Sequence, residues 1–352
     1  MNYIRGLNGL RAIAVICVVW HHTHAPIRGV PITGNGFLGV DVFFVLSGFL
    51  ITTLLLEELD RTGSISLAGF YVRRTLRIFP LFYAVLGILA AYFLVAKGAS
   101  QRQAYFDELP TTLLYLSNWF PSTTLMAITW SLATEEQFYL VWPPLLLLLG
   151  KRALWLLVAF LIPGQIVNFG LADGWLRSIG LPYESLPILQ ITFTPIILGS
   201  LLAYILRSRF RPSIVSMLSG RRVGYVIFLL AAVANVDGDI RGLPRLTFHL
   251  LCTLLLAGIV LNPGSQITKM LEWRPLAYIG TISYGVYLLH KIVQDVAVRL
   301  LNSVQLDLST WIFPLCMLGS VAVAGVSFRY FEVPILRLKS TFTKFIPSTP
   351  AT

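Results

Sequence analysis

Hydrophobic residues occupy this chain in blocks rather than in stripes. Runs long enough to cross about 30 Å of hydrocarbon lie near 7–24, 38–56, 79–97, 130–149, 153–170, 187–206, 223–236, 246–262, 276–293 and 311–329. A helix on the surface of a soluble domain keeps its apolar residues to one face, whereas one that is apolar all round is buried or spans a membrane. The pattern therefore predicts an all-α, polytopic transmembrane helix bundle with about ten spans. A shorter half-hydrophobic stretch, TTLLYLSNWF at 111–120, is expected to dip into the outer surface or to pack against the bundle.

Composition sharpens that reading. Of 352 residues, 56% are hydrophobic and 12% charged, against about 25% charged in a soluble domain. The net charge of +11 does not call for nucleic acid, because an excess of Lys and Arg is what the inward loops of a multispan protein carry. Arg61, Arg73, Arg74, Arg77, Lys151, Arg152, Arg207, Lys269 and Arg274 fall in alternate loops; Asp107, Glu108, Asp173, Glu184, Asp237 and Asp239 fall in the others. That asymmetry predicts both termini in the cytoplasm. The first run ends in Trp20, His21 and His22 with no small-x-small cleavage site, so it is expected to be a retained span. Cys17, Cys252 and Cys316 all lie in apolar runs without paired spacing, which predicts neither a disulfide framework nor a metal site. No repeat and no linker appear. Residues 1–340 read as a single transmembrane domain and 341–352 as a short loose cytoplasmic tail.

Ionisable groups inside such runs are expensive in lipid and mark candidate function. In RAIAVICVVWHHTH (11–24), Arg11 and His22 are eleven steps apart. Eleven steps bring a helix to within roughly 20° of its starting direction and rise about 16 Å, so these two share a face while His21 and His24 point elsewhere. In GFLGVDVFFVLSGFLITTLLL (36–56), Ser47 and Gly48 read as a helix-packing position. Asp41 reads either as an orienting carboxylate for His22, at about its depth, or as an ordinary N-terminal cap. In YVRRTLRIFPLFY (71–83), Arg73, Arg74 and Arg77 serve topology or bind the phosphates of a donor such as coenzyme A through forked hydrogen bonds.

Two later stretches carry helical stripes. In WSLATEEQFYLVWPP (130–144), Ser131, Glu135, Phe138, Tyr139 and Trp142 share a face; Glu135 reads as functional and Glu136 as a solvated interfacial residue. In GTISYGVYLLHK (280–291), Ser283, Tyr287 and His290 lie on one face, with His290 expected level with His22. Glu332 and Pro334, in FRYFEVPILRL (328–338), read as a helix stop and anchor at the inner surface.

Together these stretches resemble the acyltransferase-3 family of bacterial membrane-bound O-acyltransferases, the O-acetylases of surface polysaccharides and related acceptors. The resemblance rests on LNGLRAIAVICVVWHH, GVDVFFVLSGFLIT, RRTLRIFP, WSLATEEQFYLVWP, GTISYGVYLLH and FEVP, in that order, over about residues 5–335. It implies a ten-span bundle in the bacterial inner membrane, a catalytic histidine at His22 with Arg11 before it and ten residues between, acyl-coenzyme A held at Arg74 and Arg77, and a functional glutamate at Glu135. Some relatives carry an appended periplasmic esterase-like domain, which has no counterpart in these 352 residues.

The expected mechanism is O-acyl transfer, in the simplest case acetyl transfer from acetyl-CoA. Acyl-CoA docks with its phosphates near Arg74, Arg77 and Arg73, and its pantetheine arm passes Arg11 toward His22. The imidazole takes a proton from a hydroxyl of a sugar or glycan acceptor, and Glu135 or Asp41 holds the imidazolium. Ser131, Tyr139, Tyr287 and His290 are the expected substrate-side residues, and no metal is needed. The rival is a proton-coupled secondary transporter using His22 and Glu135, which leaves the arginine cluster unexplained.

Overall fold

The structure is a computed structural model, and it describes residues 4–23, 35–180, 193–208, 218, 222–234 and 240–338. Among them the chain is all-helical, with no strand. The longer helices are α1 (Leu7–Thr23), α2 (Leu38–Thr62), α3 (Leu67–Ala96), α4 (Ala99–Leu113), α5 (Thr129–Leu149), α6 (Leu154–Asn168), α7 (Thr194–Ile205), α8 (Arg222–Ala234), α9 (Leu243–Leu261), α10 (Arg274–Thr281), α11 (Ser283–Ser303) and α12 (Leu308–Ser327). Where they are described, the runs singled out by hydropathy lie on helix apart from some end residues and a break at Ile282. Among the described residues, five helical stretches are long and apolar enough to cross a membrane, or six if α10 and α11 count as one span broken at Ile282. The chain is a multi-pass membrane protein. His24 and the loose tail lie outside the described residues.

Local chemistry explains where the helices begin and break. Ser66 caps α3 by accepting from the Gly69 N–H, and Glu58 accepts from the Ser66 N–H at 2.8 Å. Started there, α3 runs three turns earlier than its apolar core and carries Arg73, Arg74 and Arg77 on ordered helix. The 44-residue helical run from Leu125 to Asn168 breaks at Gly150, whose φ is +54°. Glycine adopts that left-handed conformation without steric cost, so α5 and α6 are separate helices. Within α5, Pro144 has no N–H to give the Leu140 carbonyl. Tyr71 Oη–H donates to that carbonyl instead, at 2.8 Å.

The chain forms two compact units, each assembled from separated segments: residues 1–57 with 149–283, and residues 58–148 with 284–352. In the first unit, α2 crosses α7 at glycines. A Cβ on Gly48 would lie 1.9 Å from the Ile196 carbonyl oxygen, and one on Gly199 2.1 Å from that of Val45. Ser200 Oγ–H donates to the Gly48 carbonyl at 3.2 Å. Gly48 is thus a packing position, as its sequence suggests. In the second unit, part of the stretch at 111–120 packs inward, with the Tyr115 ring stacked on Phe82 at a centroid distance of 4.4 Å, while Leu114, Trp119 and Phe120 are exposed. The amphipathic α4 before it carries too little apolar surface to register as a hydrophobic run.

Candidate active site

In the first unit, α1 is unbroken from Leu7 to Thr23, so the eleven steps from Arg11 to His22 are regular. Arg11 donates to Asn8 Oδ1 at 3.4 Å. His22 Nδ1 lies 2.9 Å from the Val18 carbonyl oxygen. A carbonyl only accepts, so Nδ1 carries a proton, and in the neutral ring the lone pair is on Nε2. The ring is half-buried, and the edge of His21 meets both His22 and Phe37, with centroids 5.4 and 5.6 Å apart.

Asp41 is 2% exposed, and its Oδ2 accepts from His249 Nε2–H at 2.9 Å. Arg245 Nε is 3.7 Å from the same oxygen. The three side chains form an Asp–Arg–His cluster on α2 and α9, and its depth can be read from the glycines. A Cβ on Gly36 would lie 2.4 Å from the Cys17 carbonyl oxygen, and one on Gly39 2.3 Å from that of Ala14. The chain entering α2 therefore descends along α1, with Gly39 beside Ala14, about 12 Å below His22. Asp41 follows Gly39 downward, so it lies deeper than His22 rather than level with it. His249 and Arg245 were not singled out in the sequence. The signal was present: Arg245 and His249 stand at i and i+4 where an apolar helix opens, the criterion that drew attention to Arg11 and His22.

The second unit gathers most of the remaining candidates onto α3, α5 and α11. The Arg74 guanidinium lies 4.4 Å from the centroid of the Tyr139 ring, a cation–π contact. Arg77 sits in the field of Arg74, Tyr139, Glu332 and Tyr284. Arg73 diverges, 3.7 Å from Glu58. On the α5 stripe, Phe138 stacks on Trp142 with centroids 5.9 Å apart. Ser131 Oγ is 2.7 Å from Tyr287 Oη, and Tyr287 O–H donates to the Ile128 carbonyl at 2.8 Å. His290 is fully buried; its Nδ1–H donates to the Tyr287 carbonyl at 2.6 Å. Glu135 acts electrostatically on Tyr284 and Tyr287. Glu136 acts on Arg74 as well as Glu135, so it belongs to the charged cluster as much as its neighbour does.

Glu332 is a further residue that sequence reading undervalued. It ends a π-helical turn, Phe328–Glu332, and is an electrostatic partner of Arg77. A π turn inserts one residue into a helix and often marks a functional position. Two like-charged guanidiniums side by side repel, and this carboxylate offsets that repulsion. Its local signal, FEVP, pointed only to a helix stop.

Comparison with known proteins follows the same geography. A family model described as an acyltransferase domain matches residues 4–329, through both units. Peptidoglycan O-acetyltransferase OatA of Listeria monocytogenes is 28% identical over 358 residues, covering 95% of this chain and 56% of that protein. O-acetyltransferase OatA of Staphylococcus aureus is 29% identical over 374 residues, covering 98% of this chain and 59% of that protein. The chain thus spans a little over half the length of these relatives. No solved structure matches it. A family match over nearly the whole chain makes this chain a member of the acyltransferase-3 family.

Proposed function

We propose that the chain is a membrane O-acyltransferase that moves an acyl group, in the simplest case acetyl, from acyl-CoA to a hydroxyl of a sugar or glycan acceptor. Both relatives are named O-acetyltransferases, and one is named for peptidoglycan; a glycan acceptor carries that likeness to this chain. The family match running from residue 4 to 329 supports reading residues 1–340 as one acyltransferase domain. Ten spans, both termini cytoplasmic and residence in the bacterial inner membrane complete the reading.

One observation carries the chemistry: the Val18 carbonyl takes the Nδ1 proton of His22, which puts the basic lone pair on Nε2. In the proposed step Nε2 removes the acceptor's O–H proton. The oxygen forms a bond to the thioester carbonyl carbon, the C–S bond breaks, and the departing thiolate takes the proton from the imidazolium. In the same unit Arg11 lies along the donor's route, and Asp41 acts through the residues it binds. In the other, Arg74 and Arg77 receive the donor's phosphates with Arg73 as a peripheral charge. Ser131, Tyr139, Tyr287, His290 and Glu135 form that unit's substrate side.

Radiolabelled acetyl-CoA and purified protein test this reading. His22→Ala should cut acyl transfer by about 10²–10⁴-fold, the usual worth of a general base, with membrane insertion unchanged; retained transfer removes His22 from the step. Replacing Arg74 and Arg77 together with Ala should raise the donor KM by roughly tenfold or more, since hydrogen bonds to charged groups are worth about 1.5–3 kcal/mol each. An unmoved donor KM would exclude the phosphate role.

A further inference from the structure

We propose that His249 is a binding residue for the acyl donor: its Nδ1 accepts a hydrogen bond from an amide N–H of the pantetheine arm. This rests on the acyl-CoA reading and adds to it a residue that neither the sequence nor the comparisons assign. The Asp41 carboxylate accepts from His249 Nε2–H at 2.9 Å. That bond fixes the tautomer, because an ionised carboxylate has no proton to give. In the neutral ring Nδ1 is therefore an acceptor, held in one direction by its carboxylate partner, as imidazoles are in base-and-orienter pairs. His249 is 1% exposed, and its Nδ1 has no hydrogen-bond partner among the described residues.

A buried acceptor left unsatisfied costs about 1–3 kcal/mol, and such atoms in native proteins usually have a purpose. Ionisable groups within membrane spans have functional roles by default; here Asp41, Arg245 and His249 meet on two of them. Packing alone would be served better by apolar side chains of the same volume. The depth of the cluster selects the ligand. Gly39 lies beside Ala14, which places Asp41 between the levels of Arg11 and His22 or close to that of Arg11. An arm that brings a thioester past Arg11 to His22 passes this level. It presents amide N–H groups, the complement of a fixed nitrogen lone pair. The acceptor sugar, which meets the thioester at His22, need not travel so deep.

The test pairs protein variants with donor variants. Wild-type protein, H249L and H249Q are assayed in detergent with acetyl-CoA, with donor analogues whose pantetheine amides are replaced by esters, and with a fixed acceptor. Wild type should show a donor KM roughly three- to tenfold higher for the ester analogues, the worth of one neutral hydrogen bond. In H249L that difference should vanish, and H249Q, whose amide oxygen also accepts, should regain part of it. If H249L does not reach the membrane, H249Q decides, because its discrimination between the donors must then differ from that of wild type. Equal KM values for amide and ester donors in wild type overturn the inference. So does a uniform fall in kcat for every donor, which would mean that His249 only holds helices together, and so does a rise confined to the acceptor KM. If wild type transfers no acetyl group from acetyl-CoA at all, the parent reading fails and takes this one with it; transfer without discrimination defeats this one alone.

Discussion

Glu108 shows how single side chains hold this protein outside the hydrocarbon. It stands on α4 and collects hydrogen bonds from Ser122 Oγ at 2.5 Å, the Thr123 N–H at 2.8 Å, Thr123 Oγ1 at 2.7 Å and Thr124 Oγ1 at 2.8 Å. Partial burial pushes its carboxyl up, but these donors outweigh it and hold the group below the usual glutamate range. A carboxyl with a folded pKa below its unfolded one stabilises the fold fully above the unfolded value and loses that contribution as pH falls through the folded one. Glu108→Gln should therefore lower the stability at pH 7 by on the order of 1 kcal/mol for a partly exposed group, and the thermal midpoint with it. The difference from wild type should close as pH falls through the carboxylate range; a difference that persists at low pH would show that shape rather than charge matters. The same residue scale marks the reach of sequence reading. Helical spacing put Ser131 with Tyr139 and Tyr287 with His290, because residues on one helix declare their face. The partner of Asp41 stands 208 residues away, and no periodicity reports such a meeting.

Helices in lipid gain little from burying apolar surface against one another, so close backbone approach must supply the packing. That places unusual weight on the crossing of α2 and α7. Gly48→Ala should be destabilising by about 1–3 kcal/mol, the cost of overpacking, since its Cβ would meet a main-chain carbonyl at 1.9 Å. Gly174→Ala, with nothing within 4 Å of the added atom, is the control; equal thermal midpoints for the two variants would refute the crossing. Hydropathy located helices, because a run of apolar residues is a property of composition, but among the described residues only five stretches, or six, are long and apolar enough to cross a membrane. It misjudged their ends for two reasons. In α3, the helix starts twelve residues before the apolar run, at a serine cap held by a glutamate. Across 276–293, a continuous apolar run conceals the break at Ile282 that divides α10 from α11. The π turn before Glu332 is likewise invisible, because an extra residue in a helix leaves no mark on a hydrophobic pattern.

For the molecule as a whole, the charge alternation is what the proposed orientation rests on. Lys151 and Arg152 lie between α5 and α6, and Asp107 on α4. In a background lacking Cys17, Cys252 and Cys316, Asp107→Cys should react in intact cells with a membrane-impermeant maleimide, and Arg152→Cys only after permeabilisation. Labelling of both from outside would reverse or abolish the proposed topology. The interleaving of the two units carries a consequence for synthesis. The first unit takes its opening segment from residues 1–57 and is completed only by residues 149–283. At about 5–20 residues per second, a ribosome reaches the codon for His249 some 10–40 s after that for Asp41. Through that interval the carboxylate waits inside a nascent hairpin with neither of its later partners made. The translocation machinery must shelter it, or it must stay protonated, until the chain doubles back.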